Sequence, residues 1–371
     1  MVFLTGVSTQ LTRLAHYPEL WKYLDLEMPF LPKVSGLQSF LIKYTPSNSI
    51  EHLYFPSSTR SHEFLKLLVT LKQLKSRLTT IHLSGKNVTC LNLSALTTGL
   101  LLGKWTDTII LDQPSTKVDI VHVSSLISAS PRLKTFSLQT CHKFSPKEYA
   151  IFLQHLMRSG ETTRLHHHNP EINFRLRTLH VSCTSTHNVS ISILTELSKF
   201  FPLLEMLRIE NWKLVGDIAD ESVPFLYLRG LSLLNIEIMD TKKTNPNASV
   251  LARYLRTLPS LEIVVLGAKE IDVLGLKLPF RKQDLGKVFE EAQLPNLKVF
   301  WLRSWMVDYQ DLLAVQSTRV QWVVVEQCKG LNGGWIKAVQ GKWKGAFVVE
   351  SDTRMNGVDF FAWKRNGKKH G

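Results

Sequence analysis

Along this chain the apolar positions repeat one phrase: apolar, two residues, apolar, one residue, apolar. Four copies follow a proline by two positions, at Pro131/Leu133/Phe136/Leu138, Pro202/Leu204/Leu207/Ile209, Pro259/Leu261/Val264/Leu266 and Pro295/Leu297/Phe300/Leu302. The same spacing without proline occurs at Ile50/Leu53/Phe55, Leu78/Ile81/Leu83, Leu176/Leu179/Val181, Leu228/Leu231/Leu233 and Val320/Val323/Val325, with a degenerate copy at Thr106/Ile109/Leu111. The ten copies start 23 to 43 residues apart, and four of the nine gaps are 27 or 28, a spacing that signals a repeat architecture.

The phrase is that of a short strand whose alternate residues point inward, followed by a return segment leading to the next parallel strand. One unit cannot bury its own apolar face, so stability has to come from stacked neighbours. The return segments carry helical spacing. Glu63 to Leu74 and Ile191 to Phe200 repeat apolar residues at three and four, and Ser145-Pro146-Lys147-Glu148 is a helix start ahead of Tyr149 to Met157. The proline-led phrase therefore predicts a helix-to-strand junction.

These features resemble the leucine-rich repeat family, in its longer, helix-backed form, over about residues 37 to 345. The resemblance implies an α/β solenoid, a horseshoe with a parallel concave sheet and a helical convex side, built from about ten irregular repeats. Cys141 and Cys328 stand at the family's Asn/Cys position, three residues past the last strand apolar, whereas Trp212, Ile236, Trp305 and others fill it elsewhere.

The N-terminal stretch Val7-Ser-Thr-Gln-Leu11-Thr-Arg-Leu14-Ala-His-Tyr-Pro18-Glu-Leu20-Trp21-Lys-Tyr-Leu24-Asp-Leu26 resembles the closing part of an F-box motif. The family's opening part, a leucine-proline pair and an apolar helix, would precede Met1. The resemblance implies docking onto the Skp-type linker of a cullin ubiquitin ligase, with Leu11, Leu14, Leu20 and Trp21 at the matching positions. The alternative is a helical cap on the first repeat, in which Leu20 and Trp21 are core. The expected organisation is thus an F-box-like remnant or cap over 1–36, a solenoid over 37–345, and a basic tail or cap over 346–371.

On the repeats, the strand residues that point away from the helices form the expected partner surface. Between the second and third apolar positions this row reads Tyr54, His82, Ile110, Ser137, His180, Arg208, Ser232, Val265, Trp301 and Val324. It is polar and basic in the middle, then apolar and aromatic, where Ile263, Val265, Trp301 and Trp322 join Arg303 and Glu326. Aromatic and arginine side chains are the usual interface anchors. An exposed apolar stripe marks an interaction site unless the segment from Gly345 to Gly371 folds over it. Alanine at Trp301 and Trp322 is accordingly expected to weaken partner binding without unfolding the chain.

Composition narrows the function classes. Of the 371 residues 44% are hydrophobic, enough for a large core, and there is neither an 18-residue apolar run nor a signal-peptide pattern, so an intracellular protein, cytoplasmic or nuclear, is expected. Four scattered cysteines agree with that, and the sequons at Asn87, Asn92, Asn188 and Asn247 read as fortuitous.

The net charge of +14 and the basic, aromatic C-terminal stretch, including Lys364-Arg365-Asn-Gly-Lys368-Lys369, admit a nucleic-acid partner. No nucleic-acid motif accompanies them, and the tail also suits a weak nuclear-import patch. The run His166-His167-His168 lacks a partner at ligand spacing and falls in the longest gap between copies, which makes it an inserted loop. No phosphate-binding loop, nucleophile elbow or zinc helix is present. The expected function is therefore non-enzymatic, with no catalytic residue, cofactor or metal. A protein-binding adaptor of the F-box type comes first. A scaffold without a ligase link follows, and a nucleic-acid-associated repeat protein comes third.

Overall fold

The computed structural model describes residues 17–26, 34–55, 61–85, 88–98, 105–112, 120–130, 132–141, 175–190, 194, 197–198, 201–215, 225–239, 250–268, 271–273, 276–278, 285–331 and 333–351. The chain forms two compact units, Met1–Leu176 and Arg177–Gly371. In the first, strands β1 (Tyr23–Asp25), β2 (His52–Phe55), β3 (Thr80–Ser84), β4 (Thr108–Asp112) and β5 (Thr135–Cys141) pair in chain order, every pair parallel. Helices Val34–Tyr44, Ser61–Gln73, Cys90–Thr98 and Ile120–Ser128 alternate with them.

The second unit repeats the plan with β6 (Thr178–Ser190), β7 (Met206–Val215), β8 (Gly230–Met239) and β9 (Ile263–Ala268). An antiparallel hairpin, β10 (Ile271–Val273) and β11 (Leu276–Leu278), intervenes, and β12 (Val299–Arg303), β13 (Trp322–Glu326) and β14 (Phe347–Ser351) complete the parallel order. Each unit is an α/β leucine-rich-repeat solenoid, and each of the ten expected phrases leads into or lies within a strand. Two repeat strands lie outside the ten: β1 within residues 1–36, where Trp21/Leu24/Leu26 repeats the spacing, and β14 within 346–371. The helix expected at Tyr149 to Met157 and the histidine run fall outside the described residues.

The register shows why the phrase works. Leu24, Leu53, Ile81, Ile109 and Phe136 stand opposite one another along the first unit. Leu179, Leu207, Leu231, Val264, Phe300 and Val323 do so along the second. All are buried against the helices, as the edge-on contacts Phe55–Phe64 at 4.7 Å and Phe289–Phe300 at 4.8 Å illustrate. The degenerate copy is satisfied by a hydrogen bond: Thr106 is fully buried and its hydroxyl donates to the Leu78 carbonyl at 2.9 Å.

The proline-led junctions are tight turns. Leu204 N–H donates to the Phe201 carbonyl at 3.0 Å, Leu261 to Leu258 and Leu297 to Leu294 at 3.3 Å. Proline at the second turn position has its φ already set for the bend and no N–H to leave unpaired. Immediately ahead of nine of the strands, one carbonyl accepts from two successive N–H groups of the next repeat. Lys22, Glu51, Thr79 and Asp107 do so in the first unit, and Arg177, Glu205, Arg229, Glu262 and Lys298 in the second, at 2.7 to 3.2 Å. In the second unit the side chains along this ledge alternate in sign, Arg177, Glu205, Arg229, Glu262 and Lys298, and ion pairs join Lys134–Asp107 at 3.5 Å, Arg177–Glu205, and Lys298–Glu262 at 3.3 Å.

The chain turns through a left-handed residue just past β3, β12 and β13, at Gly85, Ser304 and Gln327, and within the long strands β7 and β8, at Asn211 and Asn235, with φ between 49° and 61°. Asn235 also donates to the Asn211 side chain at 3.0 Å, joining neighbouring repeats. The next position shows how the repeats tolerate irregularity. Trp305, in place of the family's asparagine, is buried and donates its indole N–H to the Leu266 carbonyl at 2.9 Å. Cys328 donates to the Glu326 carbonyl at 3.5 Å, and burial pushes its thiol up to about 11. Replacing Trp305 by phenylalanine keeps the ring but leaves a buried carbonyl without that donor. A loss of about 1–3 kcal/mol in the urea-unfolding free energy is expected, and an unchanged midpoint would show that the bond contributes nothing net.

Candidate functional site

The register aligns the residues between the second and third apolar positions within each unit. Asp25, Tyr54, His82, Ile110 and Ser137 align in the first, and His180, Arg208, Ser232, Val265, Trp301, Val324 and Val349 in the second. The parallel row one pleat earlier begins Tyr23, His52, Thr80.

In the first unit this face is open and ringed at its start. Burial alternates cleanly along β2, β3 and β4, with the outward residues half-buried. Tyr23 is 69% exposed and its ring stacks on His52 at 4.3 Å with an 8° interplanar angle. Tyr54 packs tilted on His82 at 4.6 Å. Just ahead, the short 3-10 helix Pro18–Trp21 sorts its residues: Trp21 is 5% exposed and packs near Phe40, while Leu20 stays 44% exposed. Of the four expected linker-docking residues, Leu20 is thus accessible and Trp21 is core; Leu11 and Leu14 lie outside the described residues.

The second unit departs from expectation. Ile263 at 5%, Val265 at 4% and Trp301 at 7% exposure are buried, and with Leu234, Val299 and Val324 they form an apolar cluster on the face opposite the helices. Trp322 packs against the cluster half-buried. Strands stand about 4.8 Å apart, so large side chains in register cover one another. Gly267 contributes, because a Cβ there would lie 2.9 Å from Leu234 Cδ2. The continuous apolar runs Ile263 to Leu266, Val299 to Leu302 and Val323 to Val325 are the mark of strands filled on both sides, a signal the alternation reading passed over. The stripe ends at Phe347, 61% exposed and stacked on Trp322 at 4.6 Å.

The charged residues of this face are engaged. Glu326 is fully buried; it accepts from the Trp301 indole at 3.1 Å, and Arg303 Nε stands 3.5 Å away. On β7, Arg208 Nε–H donates to Glu210 at 2.7 Å, with His180 Nε2 3.9 Å from the same carboxylate. Burial, and secondarily the Arg208 charge, lower His180 to about 4. For Glu210 burial pushes upward, but Arg208, His180 and a hydrogen bond from Ser182 outweigh it and hold the carboxyl below its usual range. Among the described residues no group of three or more His, Cys, Asp or Glu is placed to hold a metal ion, and no helix is long and apolar enough to cross a membrane.

The fold class is therefore a leucine-rich-repeat α/β solenoid, with one open-face region accessible and another filled. No protein-family model matches the chain, and no curated protein does. Among solved structures it is similar to a chain of the crystal structure of the Rad7 and Elc1 complex in yeast, with 14% identity and a TM-score of 0.44, over 96% of this chain and 88% of that one.

Two outcomes are expected from this geometry. Trp301→Ala opens a cavity between β9, β12 and β13 and removes a donor to Glu326, so it should cost about 3–5 kcal/mol in denaturant unfolding; a stable variant would place Trp301 on the surface. His180 is harder to protonate folded than unfolded, so the unfolded chain binds more protons and stability falls as pH drops from about 6.5 towards 4. The loss amounts to roughly 3 kcal/mol at most. His180→Gln should flatten melting temperature over that window; an identical slope in both proteins would refute the assignment.

Proposed function

We propose that this chain is a non-enzymatic protein-binding adaptor, acting in the cytoplasm or nucleus. Its F-box-like N-terminal segment docks the Skp-type linker of a cullin ubiquitin ligase, and its repeats hold the protein to be modified. The supporting observation is the sorting of side chains at the start of the first unit. Within eight residues Tyr17, Leu20 and Tyr23 are 62%, 44% and 69% exposed, while Trp21 and Leu24 are buried. Apolar groups held outside by a fixed backbone are what a partner surface needs. The filled face of the second unit moves the expected partner contact away from Ile263, Val265 and Trp301 and towards the aromatic end of the first unit.

The test has to respect the fold. Deleting residues 1–30 would remove β1 together with Trp21 and Leu24, so loss of binding would report unfolding. Leu20→Asp and Tyr17→Asp change only exposed side chains. With melting unchanged, they should lower recovery of the Skp-type linker and cullin about tenfold in a pull-down. Recovery that ignores both substitutions, or no recovery from the unsubstituted chain, would remove the ligase link.

A further inference from the structure

At one edge of the first unit the helices end and the strands begin, and the exposed charge there is mostly positive. Lys43 and Lys72 stand in the last turns of the helices Val34–Tyr44 and Ser61–Gln73, and Lys75 and Arg77 follow in the loop to β3; all four are exposed. The carboxylates described at this edge are Glu51, whose charge acts on Lys22, and Asp107, which pairs with Lys134 at 3.5 Å. Ion pairs between described residues of this unit engage Lys22 and Lys134 rather than these four. A cation in a last helical turn answers the helix dipole, which accounts for Lys43 and Lys72. It does not account for Lys75 and Arg77, nor for the tryptophan beside them.

The backbone that carries these side chains is fixed. Ser76 N–H donates to the Leu71 carbonyl and Lys75 N–H to the Lys72 carbonyl, both at 3.0 Å, closing the helix with Lys75 left-handed at φ 53°. Glycine is the usual residue at such a place. The neighbouring turns are tied to this one: Asn48 N–H donates to the Leu74 carbonyl at 2.9 Å, and the Thr106 hydroxyl to the Leu78 carbonyl at 2.9 Å. Next to Thr106, Trp105 is 45% exposed, with the Arg77 guanidinium over its ring at 4.6 Å. That cation–π contact holds the indole in place while nearly half of the residue stays in water. A flat aromatic surface beside a run of cations is how single strands are gripped, bases on the ring and phosphates on the charges. An acidic peptide would use the charges and leave the indole without a role.

We propose that this edge of the first unit binds single-stranded nucleic acid, a base stacking on Trp105 and the phosphates meeting Arg77, Lys75, Lys72 and Lys43. The net charge of +14 draws such a polyanion in from a distance. The site goes beyond the adaptor reading and shares no residue with the linker-docking set.

The test is fluorescence anisotropy on the full chain with a labelled oligothymidylate of about a dozen bases. It is set against the same strand without bases, a DNA duplex and an oligoglutamate peptide. The oligothymidylate should bind about tenfold more tightly than the abasic strand. Its log affinity should fall against log salt with a slope of about −2 to −3, as for about three to four phosphates neutralised on a single strand. Trp105→Ala should remove most of the tenfold preference and Trp105→Phe should keep most of it. Lys72→Gln combined with Lys75→Asn, which still accepts the left-handed backbone, should flatten the slope by about 1.4. All these side chains are exposed, so an unchanged melting temperature serves as the folding control. No binding, binding of the abasic strand, the duplex or the peptide as tight as that of the oligothymidylate, or indifference to Trp105→Ala each overturns the proposal. Leu20→Asp should leave this affinity unchanged and Trp105→Ala should leave linker recovery unchanged, so the two readings fail separately.

Discussion

Everything in both units depends on backbone carbonyls that each accept two hydrogen bonds. Lys22, Glu51, Thr79 and Asp107, and their counterparts from Arg177 to Lys298, hold the N–H groups of the next strand's first residue and of the residue before it. Parallel strands have no hairpin to set their register, so something at the strand entrance has to. A main-chain acceptor performs this task whatever the side chain, which is why repeats of unequal length and irregular sequence still align. The alternating charges on the same ledge reinforce the order, but as exposed pairs they add little each.

With register fixed at the entrance, the strand phrase decides what is buried. Its apolar positions meet the helices, and the residue at the former Asn/Cys place adapts to whatever donor is present. Trp305 reaches the Leu266 carbonyl with its indole, and Cys328 uses its thiol. The repeat is therefore defined by where donors are required. That is how parallel repeats align in a chain whose ten copies carry no asparagine at that position.

Much of this architecture was legible in the sequence. The ten phrases became strands because period and spacing are local properties of the chain. The terminal strands were harder to see. Trp21/Leu24/Leu26 has the right spacing but sits inside a stretch that also resembles another motif, and β14 places Glu350 where the strands before it, from β2 on, have an apolar residue, its carboxylate accepting from Trp335 at 3.3 Å. The open-face row was read in the right register, since alternation fixes direction. Its exposure was not readable, because whether Val265 or Trp301 meets solvent depends on neighbours 23 to 36 residues away in sequence. Tyr23 and His52 were missed for the same reason: their pairing exists only once β1 is recognised as a strand.

The filled face of the second unit also divides the chain's capacity to change. A side chain on β9, β12 or β13 is constrained from both sides of the sheet, so substitutions there are screened by packing wherever they fall. On β1 to β3 one side answers to the core and the other to solvent alone. Outward-facing substitutions on the first three strands therefore meet fewer packing constraints than substitutions on β9, β12 and β13.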